Sequence, residues 1–200
     1  MILKRLPNLT LILAVLTVVT SLVVNYQISG SLFEKIKVAD LEPYGGYTYK
    51  HLLDLELWRL FVSQLIHVKQ IHMVYNVISL LALGSLLERK LGSPRFAFIW
   101  MVAGTTGTFI STFTVAEPWN LGTGGSQAIL GLAASGIVLL MHGKIQGKFA
   151  VTILVLTIVP AFMLDMIYAE HHLPKLGHIA SFLMGCWLSR NLPHRLTIKP

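Results

Sequence analysis

Charge is scarce in this chain. Of its 200 residues only 12% are Asp, Glu, Lys or Arg, against roughly 25% in soluble domains. That shortage argues against an ordinary water-soluble domain. With 54% hydrophobic residues and a mean hydropathy of +0.67, it places the chain in the membrane class. Acidic residues are the scarcer kind, 9 against 16 basic, for a net charge of +7. In a soluble protein such a surplus points to nucleic acid. Here the basic residues cluster between apolar runs, so membrane topology accounts for them and no nucleic-acid partner is expected. The chain has one cysteine, Cys186, in an apolar run. It cannot form an internal disulfide and reads as packing. No H-E-x-x-H pattern occurs, which removes the zinc-protease reading, and no metal or cofactor is expected. Internal repeats, low-complexity tracts and a second domain are also missing, so residues 1–200 read as one domain.

What the chain does have is a series of apolar runs. The first carries no charge between Arg5 and Glu34, long enough to cross about 30 Å of hydrocarbon. A cleaved signal peptide is the rival reading. The run is long for one, and no clear A-x-A site follows it. The expected membrane helices are 8–27, 65–87 (with Leu65 or Ile71 as its start), 96–114, 126–142, 149–168 and 176–189. Residues 28–57 read as a long polar outer loop with short amphipathic helices, containing Pro43, Gly45 and Gly46. The fourth and sixth helices are short and rich in small residues, which suits the interior of a bundle. Six spans put both termini on one side. A cytoplasmic N-terminus gives ten inside basic residues: Lys4, Arg5, Arg89, Lys90, Arg95, Lys144, Lys148, Arg190, Arg195 and Lys199. Six then fall outside: Lys35, Lys37, Lys50, Arg59, Lys69 and Lys175. The positive-inside rule therefore predicts both termini in the cytoplasm.

On this map the polar residues gather. Ser126 opens the fourth helix, directly after Gly122, Gly124 and Gly125 in the stretch GTGGSQAILGL. Glycines there allow a sharp turn or close approach to a substrate. His178 opens the sixth helix from the same outer face. His72 and Asn76, four apart, share one side of the second helix near that face. Ionisable groups at membrane depth are rare and usually functional. A serine becomes nucleophilic when a base takes its proton, and His178 is the candidate base. An attacked amide carbonyl becomes an oxyanion that needs donors. His72, Asn76 and the Ser126 backbone N–H can supply them. Small residues at Gly131/Ser135 and at Gly177/Ser181/Gly185 recur every four positions. They predict close packing of the fourth and sixth helices, with Ser126 and His178 in hydrogen-bond reach. A helix N-cap is the bland alternative for Ser126.

These residues also carry a resemblance. The stretch WRLFVSQLIHVKQIHMVYN resembles the Trp-Arg and H-x4-H-x3-N elements of the rhomboid intramembrane serine proteases. It supplies Trp58, Arg59, His67, His72 and Asn76. GSLLERKLGS resembles their G-x-x-x-E-x-x-x-G element, with Gly84, Glu88 and Gly92. GGSQ resembles G-x-S-G, giving Gly124 and Ser126, and GHIASFLMG resembles A-H-x-x-G-x-x-x-G, giving His178 and Gly185. The resemblance runs from Trp58 to Gly185. It implies an all-α, six-transmembrane-helix rhomboid-like bundle with a long outer loop between helices 1 and 2. It also implies a Ser126/His178 dyad without a third acid, and an oxyanion hole of His72, Asn76 and the Ser126 N–H. The implied partners are membrane lipids and transmembrane protein substrates, gated by the fifth helix and a cap loop. The implied location is a bacterial inner membrane, with the site opening to the outer face. Gln127 stands where the family pattern has glycine after the serine, Gly177 for alanine, Ser181 for glycine, and Leu130 for a frequent aromatic.

Gly124, Gly125 and Gln127 are the residues expected to shape the site. Gln127 either crowds the serine or adds a polar contact. It motivates the alternative of a client-binding pseudoprotease. A solute transporter would need paired broken helices, which are not seen. His67 reads as structural. Arg59 and Glu88 lie at opposite ends of the second helix, too far apart to pair. Asp165 is tempting as a third acid. The family pattern has none, so solvation or a loop contact is expected for it. His171 and His172 read as a polar outer loop.

Overall fold

The computed structural model describes residues 7–168 and 175–191, and these residues form helices joined by turns. Lys4, Arg5, Arg195 and Lys199 of the charge count, and His171 and His172, lie outside the described residues. The long helices are α1 (Asn8–Ser29), α4 (Gln70–Leu91), α5 (Ser93–Thr114), α6 (Ser126–Met141), α7 (Lys148–Tyr168) and α8 (Leu176–Asn191). Two short helices, α2 (Tyr49–Leu53) and α3 (Arg59–Val62), and a 3-10 turn at Val38–Leu41 lie between α1 and α4. Helices α1, α4, α5 and α7 are long and apolar enough to cross a membrane. Helix α6 is apolar but has 16 residues, and α8 also has 16. At 1.5 Å per residue each spans about 24 Å.

Helix bounds follow from local chemistry. Helix α1 stops at Gly30, whose φ of 73° lets its N–H close on the Tyr26 carbonyl. Helix α4 stops at Gly92, and α5 begins at Ser93, three residues earlier than expected, because Pro94 fits its first turn. Of the two starts expected for the second helix, Leu65 and Ile71, the later one is within a residue of the observed start, Gln70. The Leu65 carbonyl accepts from the Ser21 hydroxyl (2.7 Å) and lies 3.2 Å from His67 Nδ1, which takes it out of a helical ladder. Residues 63–69 therefore turn.

Helix α6 is the centre, with every residue from Ser126 to Gly136 buried. It packs on α4, α5, α7 and α8, while α1 packs on α4. Backbones meet directly where α5, α6 and α8 cross. A Cβ placed on Gly185 would stand 2.1 Å from the Gly131 oxygen, and one on Gly177 2.4 Å from the Gly107 oxygen. Small residues make this contact possible, as in membrane helix pairs generally.

Glu88 and Arg59 hold opposite ends of the bundle and do not meet. At the end of α4, the Glu88 carboxylate accepts from the Leu9 N–H (3.3 Å), the Thr10 N–H (2.8 Å), and the Thr10 and Ser93 hydroxyls (2.6 Å each). It thus satisfies two orphan donors at the start of α1 with a charge of the favourable sign. Glu88→Ala is expected to destabilise the fold by about 2 kcal/mol, because charge-assisted bonds are lost and donors left bare. Thermal unfolding in detergent checks this, and an unchanged midpoint would count against it. Arg59, before α4, pairs with Glu56, donates to the Glu42 and Gly46 carbonyls and lies 4.7 Å over the Trp58 ring. It ties the polar segment into a turn. Tyr47 then latches that segment to the α5–α6 connection, exchanging backbone bonds with Gly122 and donating to the Thr105 carbonyl.

Candidate active site

The glycine stretch before α6 is stitched to the turn before α4. Gly124 has a φ of 88°, a left-handed backbone that glycine adopts without strain. Its N–H reaches the Ser63 carbonyl at 2.7 Å, and the Gly125 N–H reaches His67 Nε2 at 3.3 Å. Gly125 is the residue that caps α6. Ser126 is the first helical residue, and its side chain caps nothing. The N-cap reading of Ser126 is therefore wrong.

The Ser126 hydroxyl lies 3.0 Å from His178 Nε2, in the first turn of α8. Both residues are nearly closed off, at 8% and 7% exposure. His178 Nδ1 faces Asp165 on α7 at 2.5 Å. A carboxylate there accepts the Nδ1–H, which leaves Nε2 bare to accept from the serine. Asp165 also accepts the Lys175 backbone N–H at 3.1 Å, and its other oxygen stands 4.0 Å from the Lys175 ammonium. Asp165 does hold a loop residue, as expected. It is not solvated, being 4% exposed. The expectation of a histidine without an acidic neighbour is therefore corrected. A carboxylate on an otherwise apolar helix turns inward to find donors, because lipid offers none.

Gln127 adds a polar contact rather than crowding the serine out. Its Oε1 lies 3.2 Å from the Ser126 hydroxyl, and its stem passes Gly107 of α5. The serine hydrogen thus has two competing acceptors. Ser181 turns its hydroxyl onto the His178 carbonyl.

His72 and Asn76 come together through His67 rather than through each other. The Asn76 amide donates to His67 Nε2 at 2.9 Å, leaving its second N–H to spare, and its carbonyl oxygen is buried without a partner among the described residues. The His72 ring stands edge-on to His67, 5.5 Å between centroids, and flanks Gly124. His67 is the hub that reading by position undervalued. Its Nδ1 meets Ser21 and Leu65, and its Nε2 meets Asn76 and Gly125. The only signal for it in the sequence is its place in H-x4-H-x3-N. Burial, reinforced by His72, holds the His67 imidazole down to about 3, against a weaker upward pull from the Leu65 carbonyl. Its folded value is depressed, so its contribution to stability is complete above about pH 6.5 and is lost as pH falls towards 3. Wild type should lose up to about 1.4 kcal/mol per pH unit in that window from this group. The slope should flatten in His67→Gln. Equal slopes would refute the assignment.

Among the described residues, no group of three or more His, Cys, Asp or Glu could hold a metal. The arrangement can deliver a proton from Ser126 to an imidazole backed by a carboxylate, next to backbone and amide donors.

A family model described as Rhomboid domain matches residues 54–194. The chain is 32% identical over 131 residues to the rhomboid protease GluP of Bacillus subtilis (strain 168), covering 65% of this chain and 25% of that one. It is 31% identical over 136 residues to YdcA of the same organism, covering 64% of this chain and 67% of YdcA. It is also 28% identical over 139 residues to inactive rhomboid protein 1 of Drosophila melanogaster, covering 68% of this chain and 10% of that one.

Proposed function

Because the chain belongs to the rhomboid family, we propose that it is an intramembrane serine endopeptidase that cuts transmembrane segments of other proteins. The observation that carries this is the 3.0 Å contact between the Ser126 hydroxyl and His178 Nε2. Ser126 Oγ attacks the peptide carbonyl carbon while its proton passes to His178. The carbonyl oxygen becomes an oxyanion, met by the Ser126 N–H, the free Asn76 N–H and the His72 ring N–H. The C–N bond breaks as His178 gives the proton to the leaving amine. Water then repeats the cycle on the acyl-enzyme. Gly124 and Gly125 leave room for the substrate backbone.

In this reading all six long helices cross a bacterial inner membrane, with both termini cytoplasmic. The short α6 and α8 set Ser126 and His178 below the outer surface. The substrate helix must unwind there and present a small residue.

Gln127 favours a second reading, a client-binding pseudoprotease, since its side-chain oxygen competes for the serine hydrogen. The two readings differ in solution. The full chain in detergent is treated with a fluorophosphonate probe and, separately, with a transmembrane reporter polypeptide. Labelling and cleavage support the protease. A folded protein that binds the reporter but neither labels nor cuts supports the pseudoprotease.

A further inference from the structure

We infer that Asp165 is a positioning residue for His178, which makes the site a Ser126–His178–Asp165 triad rather than a dyad. This rests on the protease reading above. Asp165 is the acidic residue of an α7 that otherwise runs apolar from Phe149 to Tyr168, and its neighbours Met163, Leu164, Met166 and Ile167 are exposed. Burying a carboxylate from such a helix is costly unless donors meet it. Here three do: the His178 ring, the Lys175 backbone N–H and, at longer range, the Lys175 ammonium. Only the first of these faces the serine.

The carboxylate does two things for the chemistry. It keeps the proton on Nδ1 in the resting state, so Nε2 is the base. It also stabilises the imidazolium formed when Nε2 takes the Ser126 proton. Asp165 stays ionised throughout, and the transferred proton leaves with the amine product. The acid and the base sit on different helices, so the seat of α7 sets the reactivity of α8. Two contacts hold that seat. Phe162 of α7 meets Phe182 of α8 edge-on at 6.1 Å. The Tyr75 hydroxyl of α4 reaches the Leu156 and Thr157 carbonyls at 3.3 and 2.7 Å. The Leu156 carbonyl lacks a helical partner because Pro160 has no N–H.

A simple staple between α7 and α8 would use the same contact, so the test must read the imidazole. The charged and titratable groups that act on the pair, among the described residues, are Lys175 before α8 and His72 in the first turn of α4; Lys69 acts on His72. Helix α6 adds only the uncharged Ser126 and Gln127. Wild type, Asp165→Asn, Asp165→Glu, Ser126→Ala and His178→Ala are compared as full chains in detergent. Cleavage kcat/KM and probe-labelling rate are followed from pH 5 to 9. Asp165→Asn should lower kcat/KM by about 100-fold to 10⁴-fold. Its acid limb should move to lower pH, because the imidazolium has lost its anion. Asp165→Glu should recover part of the rate with the wild-type inflection. A second reading comes from the wild type alone. Histidine ¹⁵N NMR above the inflection should show Nδ1 protonated and Nε2 bare.

A wild-type inflection in Asp165→Asn, whatever its rate, overturns the triad. So does a His178 protonated on Nε2. If Ser126→Ala and His178→Ala are then inactive, the protease reading still stands. A wild type that neither labels nor cuts overturns both. Should Asp165→Asn fail to fold, the tautomer in wild type decides.

Discussion

Ser126→Ala is expected to abolish probe labelling outright and to reduce reporter cleavage by about 10⁶-fold, with His178→Ala close to it. Magnitudes of that order follow removal of either member of a serine–histidine unit. The two variants should fail for different reasons. Ser126 Oγ is the atom that the probe modifies, so without it no covalent product forms. His178→Ala leaves the hydroxyl in place with no base, and its hydrogen falls to the remaining acceptor, Gln127 Oε1 at 3.2 Å. Residual labelling should therefore be slow and should rise with pH as hydroxide replaces the base. The double variant should be no worse than Ser126→Ala, because the pair acts as a unit. Intact-mass measurement after labelling, with peptide mapping of the adduct, checks this. An adduct that persists in Ser126→Ala would put the nucleophile elsewhere and sink the assignment.

The parts of this site that could be read in the sequence are those set by helix ends and by four-residue spacing. Ser126 and His178 each start a short small-residue helix, and two such helices in contact bring their first turns together. The small residues at Gly131, Ser135, Gly177, Ser181 and Gly185 point to that contact, and the Ser135 hydroxyl of α6 reaches the Gly185 carbonyl of α8 at 3.4 Å. What depends on irregular backbone was not legible. His72 and Asn76 share a helix face by spacing, but Asn76 gives its amide to His67, across a turn whose shape no periodicity encodes. That turn also displaced the start of α4 to Gln70, since apolar Leu65 and Ile66 extend the hydrophobic run while their backbone leaves the helix. Asp165 is a different case. A lone carboxylate in apolar sequence has a strong physical preference for an interior partner. The family pattern lacks that acid and points the other way. The long-range partners of Glu88 and Arg59 are not legible in the spacing, because Glu88 takes two backbone N–H groups at the start of α1 and Arg59 donates to the Glu42 and Gly46 carbonyls.

Gly185→Ala should cost more than any other single methyl added to this protein's helices. The new Cβ would stand 2.1 Å from the Gly131 oxygen and 2.7 Å from the Gly131 carbonyl carbon and Cα. All three are backbone atoms of the central helix, so no side chain can swing aside. Ordinary contact begins at 3.4 Å, so 3.4 − 2.1 leaves about 1.3 Å to be made up by moving α8 away from α6. Overpacking of this kind costs about 3 kcal/mol. Its effect on activity should be larger than its effect on stability. His178 lies two turns before Gly185 on the same helix, about 10 Å along its axis. The 3.0 Å bond to Ser126 cannot survive a shift of more than an ångström at that distance. A displacement near 1 Å in a reacting pair lowers turnover by about 100-fold. Folded Gly185→Ala should therefore label slowly even where its unfolding midpoint shows that most molecules are intact. Gly30→Ala is the control. Its Cβ meets nothing within 4 Å, so it bears only the strain of a φ of 73°, about 1 kcal/mol, and should label at the wild-type rate. Labelling rate and unfolding midpoint measured together on both variants decide the matter. A Gly185→Ala protein with wild-type values for both would show that α6 and α8 are not held at the distance the site requires.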